Sequence, residues 1–175
     1  MIFTFIGMAG CGKSCMGRAV SHKLKLRLID SDKLIEARMG KKLQVLIDEL
    51  GVERFRQIEE EVLLSIRCAE DEHIILSTGG SAIYSKKAMD YLKTQGVIIY
   101  LYCGFEVIKE RLGDYSKRGV VLKPGQTLLD LYNERAPMYQ SYADVTINCD
   151  GSAYPIYQRV TASAIKRYIK GSDTK

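Results

Sequence analysis

The stretch that decides the reading is Ile2-Phe3-Thr4-Phe5-Ile6 followed at once by Gly7-Met8-Ala9-Gly10-Cys11-Gly12-Lys13-Ser14. Its first five residues are apolar or β-favouring and too few for a helix, so they predict a buried strand. The octapeptide matches G-x-x-x-x-G-K-[ST], a coincidence expected by chance on the order of once in a hundred chains of this length. Glycines let the backbone bend until successive N–H groups converge, and a helix opening at Lys13 adds the partial positive charge of its N-terminus. Strand, loop and helix together form a cradle for phosphate oxygens. Lys13 then reaches the outer phosphates of a nucleotide, and Ser14 offers its hydroxyl to a bridging Mg²⁺. The expected nucleotide contacts are Gly10, Cys11, Gly12, Lys13, Ser14 and Cys15, with the two cysteines as small filler side chains. The plainer alternative is a glycine-rich turn carrying a solvated lysine.

Outward from this loop, short apolar runs at Leu26–Ile29, Ile74–Ser77, Val97–Tyr102 and Val145–Ile147 predict four more strands. Between them, helical spacing of apolar residues predicts helices over Lys13–Lys25, Lys33–Met39, Glu53–Glu70, Lys86–Thr94, Glu106–Leu112, Leu128–Tyr139 and Pro155–Ile169. Gly40 punctuates one helix end, Ser85 caps a start, and Pro155 stands where a first-turn proline is tolerated. Strands alternating with helices imply a parallel sheet of βαβ units in an α/β fold. The segment 113–126 holds three glycines and a proline without sustained periodicity, and is expected to be a mobile loop. No repeat or linker interrupts the chain, so residues 1–175 are expected to form one domain.

Composition narrows the function. With 175 residues, 46% hydrophobic and 27% charged, the chain can bury a core without metal or disulfide staples. Its formal net charge of +5 is spread along the chain, with no basic run longer than a pair. Such a pattern argues against nucleic-acid and membrane surfaces and suits a small anionic ligand. Five cysteines, an odd number lacking C-x-x-C, read as reduced thiols of a cytoplasmic protein. His22 and His73 stand apart from each other and from any zinc-like spacing. The apolar N-terminal run lacks a preceding basic region, so a signal peptide is not expected. A monomer is expected, although no feature of the sequence fixes the oligomeric state.

At the end of the second strand stands Asp30-Ser31-Asp32, two carboxylates at the sheet edge that also carries the phosphate loop. One can support Mg²⁺ and the other can orient an acceptor hydroxyl, although helix capping accounts for the same residues. With Phe55-Arg56-Gln57-Ile58-Glu59, Thr78-Gly79-Gly80 and Arg135-Ala136-Pro137-Met138-Tyr139 in order, the chain resembles the shikimate kinases. That resemblance implies a three-layer α/β/α P-loop kinase with a five-stranded parallel sheet and a lid at about 113–126. It also implies ATP and Mg²⁺, and transfer of a phosphoryl group to the 3-hydroxyl of shikimate. Carried onto this chain, it makes Lys13, Asp32 and Arg118 catalytic, with Asp32 as base or orienting group and Arg118 as the lid arginine. Ser14 and Asp30 would hold the metal. Asp32, Arg56, Gly79, Gly80 and Arg135 would bind the acceptor, and Arg111 and Pro155 would flank the adenine.

Chemistry supports the same assignment, because two guanidinium forks and a carboxylate describe a pocket for a hydroxy acid. The blander reading makes Arg56 a surface partner of Glu59 or Glu60, and Arg135 an exposed helix-end residue. Three departures from the family pattern bear on the acceptor. Ser81 replaces a third glycine, so the turn is expected to differ in conformation or clearance. Val52 replaces a glutamate, and Gly119 replaces the proline after the lid arginine. Another small alcohol, whether a hydroxy acid, an amino-acid alcohol or a nucleoside monophosphate, therefore stays open as acceptor. So does a nucleotide-binding regulatory module without an acceptor.

Overall fold

The computed structural model describes residues 1–113, 120, 122–123, 125–151 and 154–172. Its strands are β1 (Ile2–Ile6), β2 (Arg27–Asp30), β3 (Ile74–Ser77), β4 (Gly96–Tyr102) and β5 (Val145–Asn148). Its helices are α1 (Lys13–Leu24), α2 (Ser31–Met39), α3 (Leu43–Ser65), α4 (Lys86–Gln95), α5 (Phe105–Leu112), α6 (Leu128–Tyr142) and α7 (Tyr154–Ser172).

All strand pairs are parallel, in the order β2-β3-β1-β4-β5. Every residue of β1 is buried, as a central strand covered on both faces requires. Helices α1 and α7 pack together, and α3 packs on α4, completing the three-layer α/β/α arrangement with a five-stranded sheet. The chain runs outward from β1 to β2, then back across β1 to β4, so the strand order reverses at the carboxyl end of β1. Ligands of open α/β sheets bind at such a switch point. The phosphate-binding sequence stands there because it directly follows β1.

Two apolar clusters hold the molecule. The larger contains Phe3, Phe5, Ile75, Leu76, Ile99 and Leu101 and is sandwiched around the sheet. A smaller one, made of Ile35, Leu46, Ile47, Phe55, Ile58 and Val62, joins α2 to α3. The sequence reading missed the first half of α3. Leu43, Leu46, Ile47 and Leu50 have helical spacing, but Gly51 interrupts the helix at φ 79°, ψ 163°, leaving a segment too short to declare itself without the cluster beneath it. At its other end α3 stops at Ser65 rather than Glu70, where Arg67 Nη1 and the Tyr91 hydroxyl both donate to the Ile66 carbonyl. Helix α2 starts at Ser31, two residues early, because the Asp30 carboxylate caps it from outside. Ser85 caps α4 and Gly40 closes α2 with φ 67°, both as expected.

Among the described residues no helix is long and apolar enough to cross a membrane, and all five cysteines are free. The expected lid at 113–126 lies largely outside the described residues. Its described return towards α6 is tied down by Glu134, which accepts from Gln126 Nε2 at 2.9 Å and pairs with Lys123 at 3.4 Å.

Candidate active site

Three features shape the phosphate loop. Gly7 adopts φ 143°, and a Cβ there would stand 2.7 Å from the Leu101 carbonyl oxygen, so no larger residue fits between β1 and β4. Gly10 and Gly12 also take positive φ, which turns the chain into α1. Lys13 is buried, and its ammonium donates to the carbonyls of Gly7 at 2.7 Å and Met8 at 2.9 Å. The lysine therefore lies across its own loop as a fixed positive charge. Cys11 is buried in the bend, where burial pushes its thiol up from the ordinary range, and Cys15 is exposed on α1. Within the loop the Cys11 N–H donates to the Met8 carbonyl, tightening the bend.

Ser14, on the first turn of α1, donates its hydroxyl to Asp30 Oδ2 at 2.8 Å. Asp30 also accepts from the Lys33 N–H at 3.3 Å, so the capping role and the loop-facing role are held by one carboxylate. A hydroxyl and a carboxylate side by side beneath a phosphate cradle form a hard-oxygen pair. That suits Mg²⁺, which keeps most of its waters and takes only one or two protein ligands. No cluster of three or more His, Cys, Asp or Glu with ligand geometry occurs among the described residues.

Asp32 stands in the first turn of α2, facing the same crevice. Burial raises its carboxyl to about 6, with Lys13 opposing and Asp30 and Glu36 adding to the rise. Beside it lies Glu59 of α3, 2% exposed and pushed up to about 7 chiefly by burial. The two carboxylates meet beneath Gly79. A Cβ on Gly79 would come within 2.8 Å of Asp32 Oδ1 and still closer to Glu59 Oε1, so a larger residue there must displace these carboxylates.

Arg56 and Arg135 converge from α3 and α6 on the ring of Tyr84, with guanidinium carbons 4.1 Å and 5.1 Å from its centroid. Tyr84 accepts from Arg135 Nε at 3.1 Å and donates to Glu134 Oε1 at 2.7 Å. Arg135 is buried rather than exposed at a helix end. Arg56 pairs with Glu53 at 3.6 Å rather than with Glu59 or Glu60, and it lines the crevice. Gly80 sits under Arg135 Nη1, and its carbonyl accepts from the Tyr139 hydroxyl at 2.7 Å.

One cleft of about 380 Å³ joins the phosphate loop to Asp32, Arg56 and Arg135, while Cys11, Asp30 and Glu59 are not among the residues lining it. Gly10, Gly12, Lys13, Ser14 and Cys15 line it from the loop side, and Asp32, Arg56, Gly79, Gly80, Ser81 and Arg135 from the other. Arg111 lies outside it, donating to the carbonyls of Cys149 and Gly151 at 3.1 Å each and to Cys103 Sγ at 3.3 Å. Pro155 stands exposed in the first turn of α7, next to Tyr154, whose ring passes close to Gly12. Arg118 and Gly119 lie outside the described residues. Sequence reasoning missed Tyr84, because no spacing marks an aromatic as the plate beneath two guanidiniums, and it gave no role to Tyr154 or to Tyr139, which entered only as part of a motif. It also missed Leu43, which lines the cleft from the unforeseen first half of α3.

The departures at Ser81 and Val52 resolve differently. Ser81 has φ −92° and ψ −10°, an ordinary helical conformation, so the turn does not need a glycine there. Its hydroxyl donates to Glu59 Oε2 at 2.7 Å. Val52 lines the cleft and packs against the smaller cluster, giving that side an apolar filling.

Comparison with known proteins agrees with this geometry. A family model described as shikimate kinase matches residues 9–167. The shikimate kinase of Francisella tularensis subsp. novicida (strain U112) is 37% identical over 149 residues, covering 84% of each chain. That of Haemophilus influenzae (strain PittEE) is 36% identical over 148 residues, covering 83% of this chain and 81% of that one. A solved structure of shikimate kinase from Acinetobacter baumannii in complex with shikimate superposes with a TM-score of 0.81 at 30% identity, covering 99% of this chain and 95% of that one. With its loop, its crevice and these relatives in agreement over most of its length, the chain belongs to the shikimate kinase family.

Proposed function

We propose that the chain transfers the γ-phosphoryl group of ATP to the 3-hydroxyl of shikimate, as a monomer in the cytoplasm and as one catalytic domain over residues 1–175. The observation that carries this reading is the single cleft in which Lys13 of the phosphate loop faces Asp32, Arg56 and Arg135. Loop amides and Lys13 grip the triphosphate and offset the charge that grows on the transferring group. Arg56 and Arg135, levelled by the Tyr84 ring, present a two-pronged seat for the acceptor carboxylate.

With the carboxylate seated, the 3-hydroxyl is directed to Asp32. That carboxylate orients the hydroxyl and takes its proton as the oxygen bonds to phosphorus and the bond to ADP breaks. When bound by Ser14 and Asp30, Mg²⁺ neutralises phosphate charge. Gly79 and Gly80 let the acceptor approach the backbone, and Arg118 closes the lid over the phosphates. Arg111 and Pro155 flank the adenine, with Tyr154 beside them. Holding the reactants together supplies most of the acceleration, since the chemistry asks little covalent work of the protein.

The test is a coupled ADP-release assay with purified protein, ATP, Mg²⁺ and a panel of shikimate, other hydroxy acids, amino-acid alcohols and nucleoside monophosphates. Shikimate is expected to give the highest kcat/KM. Strong turnover of a nucleotide with none of shikimate refutes the reading, and ATP hydrolysis that no acceptor stimulates favours a regulatory module.

A further inference from the structure

Two cations converge on the acceptor side of the cleft with little counter-charge of their own. Arg135 is 4% exposed, and among the described residues no carboxylate stands within ion-pair distance of it. Arg56 pairs at 3.6 Å only with Glu53, a side chain 86% exposed, and its buried Nε lacks a hydrogen-bond partner among the described residues. Like charges repel strongly where water is excluded, and a buried cation without a counter-charge is costly. Such a seat needs a group that holds both guanidiniums where an anion can meet them.

Tyr84 is that group. The guanidinium carbons of Arg56 and Arg135 lie 4.1 Å and 5.1 Å from its ring centroid, and an aromatic face attracts a cation. Its hydroxyl accepts from Arg135 Nε at 3.1 Å and donates to Glu134 Oε1 at 2.7 Å, so the carboxylate polarises the oxygen that the guanidinium grips. The Tyr84 bond, then Gln126 and Lys123, hold the Glu134 carboxyl below its ordinary range, which keeps it ionised. The ring is itself fixed. Tyr84 ends the short 3₁₀ turn Ala82–Tyr84 after β3, where Ala82 and Ile83 are buried and the Tyr84 N–H donates to the Ser81 carbonyl at 2.9 Å. The next residue, Ser85, donates to Glu60 Oε2 at 2.6 Å, which pins the turn to α3 one helical turn beyond Arg56. Tyr84 is not among the residues lining the cleft, so its effect on a ligand there passes through the arginines.

We propose that Tyr84 is a positioning residue for the acceptor carboxylate: its ring carries Arg56 and Arg135, its hydroxyl fixes Arg135, and together they set the spread of the two guanidiniums before the acceptor arrives. This rests on the kinase reading above and deepens it. Ordering two long side chains in advance lowers the cost of binding. Removing the hydroxyl frees Arg135, and removing the ring frees both.

The experiment compares wild type, Tyr84→Phe and Tyr84→Leu with shikimate and with shikimate methyl ester, which keeps the hydroxyls and lacks the negative charge. Kinetics of each acceptor are measured at saturating ATP, those of ATP at saturating shikimate, and ligand-free crystal structures are solved for all three proteins. The KM for shikimate is expected to rise about fivefold in Tyr84→Phe and about thirtyfold in Tyr84→Leu, as first a charge-assisted bond and then the cation–π contacts are lost. With the ester, kcat/KM is expected to agree among the three proteins within about threefold, because the ester cannot engage the guanidinium fork as an anion. The KM for ATP is expected to change less than about twofold. A merely structural role for Tyr84 lowers acid and ester alike. In the Tyr84→Leu crystal both guanidiniums are expected to leave their wild-type positions. Equal losses with acid and ester, an unchanged shikimate KM, or guanidiniums that stay in place each overturn the inference. Tyr84→Phe keeps the ring and its packing, and decides alone if the leucine variant does not fold. A wild type that ignores shikimate overturns the function, and the crystals still decide whether Tyr84 sets the two guanidiniums.

Discussion

Glu59→Gln should make the protein more stable at pH 8 and leave it nearly unchanged at pH 4.5. Glu59 is 2% exposed, with one oxygen on Ser81 and the other without a hydrogen-bond partner among the described residues. Burial disfavours its charge, the Ser81 bond and the guanidiniums of Arg135 and Arg56 restore part of it, and Asp32 opposes them, so the carboxyl rises from 4.5 to about 7. An acid whose folded value exceeds its unfolded value binds its proton more tightly in the native state. Its contribution to stability is complete below pH 4.5 and lost as pH rises through 7. At about 1.4 kcal/mol per pKa unit, the loss by pH 8 is on the order of 3 kcal/mol. Glutamine keeps the shape and the acceptor for Ser81 but does not titrate. Urea unfolding of both ligand-free proteins at pH 4.5, 6, 7 and 8 gives the difference directly. A gap that opens between pH 5 and 8 to about 2–4 kcal/mol in favour of the variant agrees with the argument. A gap independent of pH, or a wild type more stable at pH 8, refutes it.

Lys13→Ala should remove most turnover, since the ammonium held on the Gly7 and Met8 carbonyls is the fixed counter-charge of the loop, and near-normal kcat in the coupled assay would exclude that role. Asp32→Asn should lower kcat by roughly 10²–10⁴ if the carboxylate takes the proton, with little change in the KM for ATP. A loss of only a few-fold would reduce Asp32 to an orienting group. Gly79→Ala forces a methyl between two carboxylates, so thermal unfolding should drop by several degrees and the shikimate KM should rise. A variant with wild-type melting and kinetics would mean that the turn has slack the distances deny.

Much of this was legible because local signals and the fold agree. The loop sequence specifies its own backbone through glycines at positive φ, and the short apolar runs specify parallel strands, of which β1 and β3 are buried on both faces. Arg56, Gly79, Gly80 and Arg135 were legible only as a pattern. Their partners were not, since Tyr84 beneath two guanidiniums depends on three elements meeting in space. The first half of α3 stayed hidden for a related reason. Its helicity depends on burying Leu46 and Ile47 against Ile35 of α2, a contact that no window of sequence contains. For Ser81 the sequence raised the right question, whether the turn differs in conformation or clearance, and the conformation turns out not to require a glycine. Lost glycine freedom is irrelevant at φ −92°, and a gained hydroxyl is what the chain uses.

The two sides of the cleft solve different problems. On the phosphate side the polar groups satisfy one another: Lys13 rests on loop carbonyls, and Ser14 on Asp30, itself a helix cap. That side is preorganised, so binding there needs little rearrangement of the protein. On the acceptor side a buried acid sits near a second acid and two guanidiniums, with a donor on Arg56 and an acceptor on Glu59 left without partners among the described residues. Unmet groups in a buried site weaken the ligand-free protein and add selectivity, because only a ligand of matching polarity relieves them. The substitutions at Val52 and Ser81 both line this acceptor side, whereas the glycines, lysine and serine of the phosphate loop keep the motif unaltered. Changes to a preorganised phosphate cradle would act on every turnover, while changes around the acceptor act first on which alcohol is seated and how tightly. Acceptor KM is therefore the quantity in which this chain should differ most from its relatives, and ATP KM the quantity in which it should differ least.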